Sequence, residues 1–153
     1  MPTSKPSTIR ERIEAARRGE NPSVVCRLEA GWVIVFDDQP VEGYCLIMSD
    51  PIVKTLNDLD EPRRLIYLRD MARVGDAILK ATGAARINYE TWCNKDQSLH
   101  THLVPSYETE PEDKKYLPVC KGYDGVSTRK FDPEKDAGLV ARLRENLKSY
   151  IKT

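Results

Sequence analysis

The sequence predicts an α+β protein: about five strands in a largely antiparallel sheet, one long helix packed on it, and N- and C-terminal helices. Three observations carry this. β-forming runs at residues 23–29, 32–36 and 43–48 follow one another with short turns, the pattern of an antiparallel meander. Asp60-Glu61-Pro62 then opens an apolar series that recurs every three or four residues as far as Thr82-Gly83. Two further β-rich runs follow, at residues 85–92 and 99–104.

In chain order, residues 1–7 are polar and proline-bearing and are expected to be a disordered lead; residues 8–153 are expected to form a single domain. Thr8-Ile9-Arg10-Glu11 has the form of a capping box, and Ile9, Ile13 and Ala16 continue at helical spacing up to Gly19. This short helix is strongly charged, which predicts a surface position. Ala30-Gly31 marks a hairpin turn, and the unbroken apolar run Val33-Ile34-Val35-Phe36 suits a strand covered on both faces. Asp37-Asp38-Gln39-Pro40 and Ser49-Asp50-Pro51 end the second and third strands.

The long helix runs for about 20 residues, with an N-cap candidate at Asp60 and a glycine stop at Gly83. Residues 105–131 are rich in Pro, Gly, Lys and Glu and are expected to be irregular, with a short strand at residues 117–120. Asp132-Pro133 is expected to start the last helix, with Val140, Leu143, Leu147 and Tyr150-Ile151 as its apolar stripe.

The chain has 153 residues, enough for a real core, with 24 basic and 24 acidic side chains. Zero formal charge argues against a nucleic-acid or membrane-surface partner, each of which calls for a basic excess. The N-terminus has no apolar core of the signal-peptide kind, and no apolar stretch approaches the roughly 18 residues of a membrane span. A cytoplasmic location is therefore expected, with Cys26, Cys45, Cys93 and Cys120 as buried or partly buried reduced thiols.

The only two histidines are His100 and His102. On a strand, residues two apart share a face, so Ser98, His100 and His102 line one side and Leu99, Thr101 and Leu103 the other. A neutral imidazole whose second nitrogen is held by an acceptor can attack phosphorus and form a covalent intermediate. Donors around the phosphate oxygens must then stabilise the transition state. Asn94, Gln97 and Ser98, just before the strand, carry such groups. By spacing alone the H-x-H pattern is weak. It also fits half a zinc site with Cys93 and Cys120, although those spacings match no standard zinc pattern.

Asn88-Tyr89-Glu90, then Asn94, then Leu99-His100-Thr101-His102-Leu103-Val104-Pro105 resembles the signature of the histidine triad (HIT) family, and in particular its diadenosine-tetraphosphate-hydrolase-like bacterial branch. Upstream, residues 32–38 and 39–47 resemble that family's strand, ribose loop and next strand, and Leu56-Asn57-Asp58-Leu59 before the long helix also matches. The resemblance covers roughly residues 24–110.

It implies a five-stranded antiparallel sheet, a homodimer, and action on nucleotide substrates. The implied reaction is hydrolysis or transfer at a phosphoanhydride or phosphoramidate bond, through a nucleotidyl-histidine intermediate. By position, His100 is the implied nucleophile, and His102 the residue that bonds the phosphate or assists the leaving group. Ser98 takes the first triad place, Asp37 matches the ribose acceptor, with Asp38 its alternative, and Asn88 and Asn94 match positions near the phosphates. Gln97 lies close by without so clear a counterpart. No metal or cofactor is implied in the protein frame, beyond Mg²⁺ accompanying the substrate.

Two departures stand out. Ser98 replaces the first histidine, and Ser106-Tyr107 stands where a basic residue often follows the proline. Phosphate charge would then be met from elsewhere, with Arg86, Lys114, Lys115 and Lys121 as candidates. The alternative function is a nucleotide-binding module with little or no catalysis.

Overall fold

The computed structural model describes residues 8–153, so the expected disordered lead lies outside the described residues. The chain runs through α1 (Ile9–Arg17), β1 (Val24–Arg27), β2 (Gly31–Val35), β3 (Asp38–Gln39) and β4 (Cys45–Ser49). A 3₁₀ turn, Leu56–Asp58, leads into α2 (Glu61–Thr82), followed by β5 (Arg86–Glu90) and β6 (His100–Ser106). Then come α3 (Glu112–Lys115), α4 (Val119–Gly122), β7 (Arg129–Lys130) and α5 (Ala137–Leu147). Five strands form one sheet in the order β1-β2-β4-β6-β5, every neighbouring pair antiparallel. The fold is therefore the α+β architecture expected from the strand and helix pattern.

The caps form as their residues dictate. Thr8 Oγ1 accepts from the Glu11 amide at 3.1 Å while Glu11 returns a carboxylate to the Thr8 amide at 3.0 Å. Asp60 Oδ1 accepts from the Arg63 amide, and Gly83 closes α2 at a φ of 72°, a conformation that suits a residue without a Cβ.

The sheet has two covered faces. Val33, Val35, Cys45, Ile47 and Leu103 point to the side of α2 and α5, where Val74, Ile78, Leu143 and Leu147 complete the larger core. Each such fully buried aliphatic side chain contributes about 1.5–3 kcal/mol. At Gly75 a Cβ would overlap the Tyr89 hydroxyl, so glycine lets α2 lie against β5. Asp70, 1% exposed, accepts from the Ala30 amide at 2.9 Å and is paired with Arg73, which ties α2 to the β1–β2 turn.

The opposite face carries Ile34, Leu46, Met48 and Val104, and α1 covers it through Ile9 and Ile13. This corrects the expected surface position of α1. Its charges other than Arg12 lie on the outer side, and Ile9, Arg12, Ile13, Ala15 and Ala16 are buried on the inner one.

Two other expectations are corrected. Residues 117–120 are not a strand: Pro118 starts the helical turn α4, despite the β-forming Val119. The short strand after Pro111 is instead β7, which pairs with the distant β3 in a two-stranded ribbon joining Asp38 to Lys130 and Gln39 to Arg129. The last helix begins at Ala137, because Asp132 Oδ1 accepts from the Glu134 and Lys135 amides and spends residues 133–136 in a turn. Among the described residues, no helix is long and apolar enough to cross a membrane.

Candidate active site

Strand β6 builds the site. Its partner β4 sets the register, placing His102 opposite Leu46 and His100 opposite Met48. Both imidazoles therefore stand on the α1 side, with ring centroids 5.0 Å apart, while Thr101 points the other way to the Tyr67 and Thr91 hydroxyls. The face expected for the histidines is the one they occupy.

His100 is 7% exposed, and its Nδ1 lies 2.6 Å from the Ser98 carbonyl oxygen. A carbonyl only accepts, so Nδ1 carries the proton and the neutral ring keeps its lone pair on Nε2. Ser98 thus contributes its backbone; its side chain is buried and does not line the cavity. His102 Nδ1 lies 2.6 Å from the Tyr44 hydroxyl, and the edge of the ring meets Phe36. Burial, with His100 beside it, pushes the His102 pKa down to about 4. Burial also raises that of Tyr44, so near neutral pH a neutral phenol meets a neutral imidazole.

Both rings line a cavity of about 930 Å³. Its roof comes from Thr8, Ile9 and Arg12 of the α1 end, and its far wall from residues 92–97 between β5 and β6. That wall bends at Cys93, whose φ of 51° is left-handed. Asp96 fastens the wall to the roof by accepting from the Ile9 amide at 2.7 Å.

The expected site residues divide as follows. His100, His102, Asn94 and Gln97 all line the cavity. Asn88 shares the histidine face of the sheet but stands opposite Val104, past Glu90, and lines a separate small cavity. Asp37 does not line the cavity; its carboxylate accepts from Arg12 Nη2 at 2.8 Å, and any ribose hydroxyl it accepts from shares it with Arg12. Asp38 is ion-paired to Lys130 on the small ribbon.

None of the four basic candidates reaches the cavity: Arg86 and Lys115 pair with Glu108, Lys114 bonds the Gly122 carbonyl, and Lys121 sits on α4. The cations that do line it are Arg12 and Lys95. Arg12 could have been found from its place on the apolar stripe of α1, where a charge is out of pattern. Trp92 is 66% exposed at the cavity rim.

Cys93 does turn towards the histidine, with Sγ 3.5 Å from the His100 carbonyl oxygen. Cys120 is exposed, against expectation, and lines a neighbouring cavity with Tyr44. Among the described residues, no group of three or more His, Cys, Asp or Glu side chains is arranged to hold a metal.

No family model matches the sequence, and no curated protein matches it. Solved structures do match. A histidine triad protein from Marinobacter aquaeolei is 15% identical with a TM-score of 0.70, over 92% of this chain and 95% of that one. A histidine triad protein from Sinorhizobium meliloti is 20% identical with a TM-score of 0.68, over 88% and 93%. A hypothetical histidine triad nucleotide-binding protein from Sulfolobus tokodaii is 17% identical with a TM-score of 0.69, over 90% and 91%. With this sheet order, these helices and both histidines on one strand, the chain has the histidine-triad fold.

Proposed function

We propose that this chain is a histidine-triad nucleotide hydrolase or transferase, which cleaves a phosphoanhydride of the dinucleoside polyphosphate type, or a phosphoramidate, through a nucleotidyl-histidine intermediate. The observation that carries this is the bond from His100 Nδ1 to the Ser98 carbonyl, which keeps a lone pair on Nε2 of a ring lining the cavity. Nε2 attacks the α-phosphorus, and the bond from that phosphorus to the bridging atom breaks. The leaving nucleoside polyphosphate departs as its anion. When Tyr44 donates to Nδ1, the proton of His102 stays on Nε2, and that N–H donates a hydrogen bond to the departing oxygen. Water then attacks the phosphorus and the phosphorus–Nε2 bond breaks; a nucleoside monophosphate leaves, one proton of the water passes to solvent, and neutral His100 is restored.

Asn94, Gln97 and Lys95 supply donors for the phosphate oxygens, and the Arg12–Asp37 pair stands at the ribose side. The protein frame needs no metal; Mg²⁺ enters with the polyphosphate. The working unit is a homodimer, which is supported by the sheet-edge position of β5 and by the exposed Tyr89 on that strand.

The test is incubation with diadenosine tetraphosphate, following nucleoside monophosphate release. Wild type should turn over and His100→Asn should not; equal turnover removes the proposal. A second reading, nucleotide binding with little catalysis, is favoured by one observation: of the two cations lining the cavity, Arg12 is already ion-paired. Tight nucleotide binding without hydrolysis across a panel of substrates would select it.

A further inference from the structure

A second cavity, of about 480 Å³, lies beside the histidine cavity. Trp92, Cys93, Asn94 and Gln97 line both, so the two hollows flank a single wall, the loop between β5 and β6. The histidines line only the first. The opposite bank of the second comes from the segment between β4 and α2, with Lys54 and Asn57.

The chemistry of this second cavity suits a nucleotide end. Its volume falls within the roughly 300–1,000 Å³ of small-molecule sites. Trp92 leaves 66% of its surface in water at the junction, a flat aromatic face on which a base can stack. Lys54 offers a compact cation for phosphate, and the Asn57 carboxamide offers both a donor and an acceptor for a base edge or ribose.

We infer that the second cavity is a leaving-group subsite: it holds the nucleoside end that departs when the bond at His100 breaks. The preferred substrate is then two-ended, a dinucleoside polyphosphate lying across residues 92–97, rather than a nucleoside phosphate with a small leaving group. This inference rests on the function proposed for the histidine cavity.

Calorimetry of the full chain tests it with two probes. One is adenosine monophosphate. The other is a diadenosine tetraphosphate with methylene in place of its α,β bridging oxygens, which cannot be cleaved there. Wild type should bind the two-ended analogue at least about ten-fold tighter than the monophosphate. Lys54→Ala and Asn57→Ala, both at exposed positions, should each weaken the analogue by about ten-fold and leave the monophosphate unchanged. Equal affinity of wild type for both probes, or variants that change both probes alike or neither, would overturn the subsite while leaving the histidine cavity as a nucleotide site. Failure of wild type to bind the monophosphate would overturn the function of the first cavity, and the subsite with it.

Discussion

The Tyr44 hydroxyl and the Nδ1 of His102 lie 2.6 Å apart, so a residue on the loop before β4 holds the ring orientation of a histidine on β6. Removing that hydroxyl frees the ring to adopt either tautomer. Tyr44→Phe should lower kcat on a dinucleoside polyphosphate by about ten-fold or more with little change in KM, the usual size for a partner that orients a working imidazole. Steady-state kinetics of the variant check it. An unchanged kcat would show that the bond does not position His102.

Acid should destabilise the protein through His102. The folded state resists protonation down to about pH 4, whereas the unfolded chain takes the proton at the ordinary value of 6.5. Between these values the unfolded state binds more protons, so stability falls as pH falls, by up to about 1.4 kcal/mol per unit from this residue. Above pH 6.5 both states are neutral and the contribution is flat. Urea midpoints at pH 7, 6 and 5 measure the slope, and His102→Gln should flatten it.

Asp70 is buried with the Ala30 amide and the guanidiniums of Arg69 and Arg73 as partners. Asp70→Ala leaves the Ala30 amide without its acceptor and should cost about 2–4 kcal/mol. Chemical denaturation measures this. A loss below 0.5 kcal/mol (the scale of ordinary surface substitutions) would mean that the β1–β2 turn is held by other contacts.

Asp96→Ala should act on both stability and binding. The carboxylate caps the first amide of α1, worth about 1 kcal/mol. It also joins the α1 roof to the loop wall of the cavity, so its loss should raise KM more than it changes kcat. Kinetics and thermal melting of the same sample separate the two effects.

How much of this was legible beforehand depended on the range of the forces involved. The caps at Thr8 and Asp60, the apolar period of α2 and the shared face of His100 and His102 are local, and local pattern announced them. The Asp38–Lys130 and Gln39–Arg129 pairings join segments about ninety residues apart, and no short-range signal announces such a ribbon. α1 was misjudged for a related reason. Its apolar stripe is narrow and its net character charged, so burial came from the sheet face that the rest of the chain prepares. That displacement hid Arg12 from the site. The phosphate-side cations expected at Arg86, Lys114, Lys115 and Lys121 are engaged elsewhere or stand outside the cavity, whereas Lys95 lies in the very loop that Asn94 and Gln97 had marked.

The bond from Asp96 to the Ile9 amide spans 87 positions of sequence. It closes the rim of the histidine cavity, so the cavity has its final shape only after chain segments made far apart in time have met. Contacts of such separation are slow to form, because the entropy of closing a long loop must be met first. In refolding, α-helical signal should return before nucleotide affinity, and the delay between the two reports when the N-terminal helix docks.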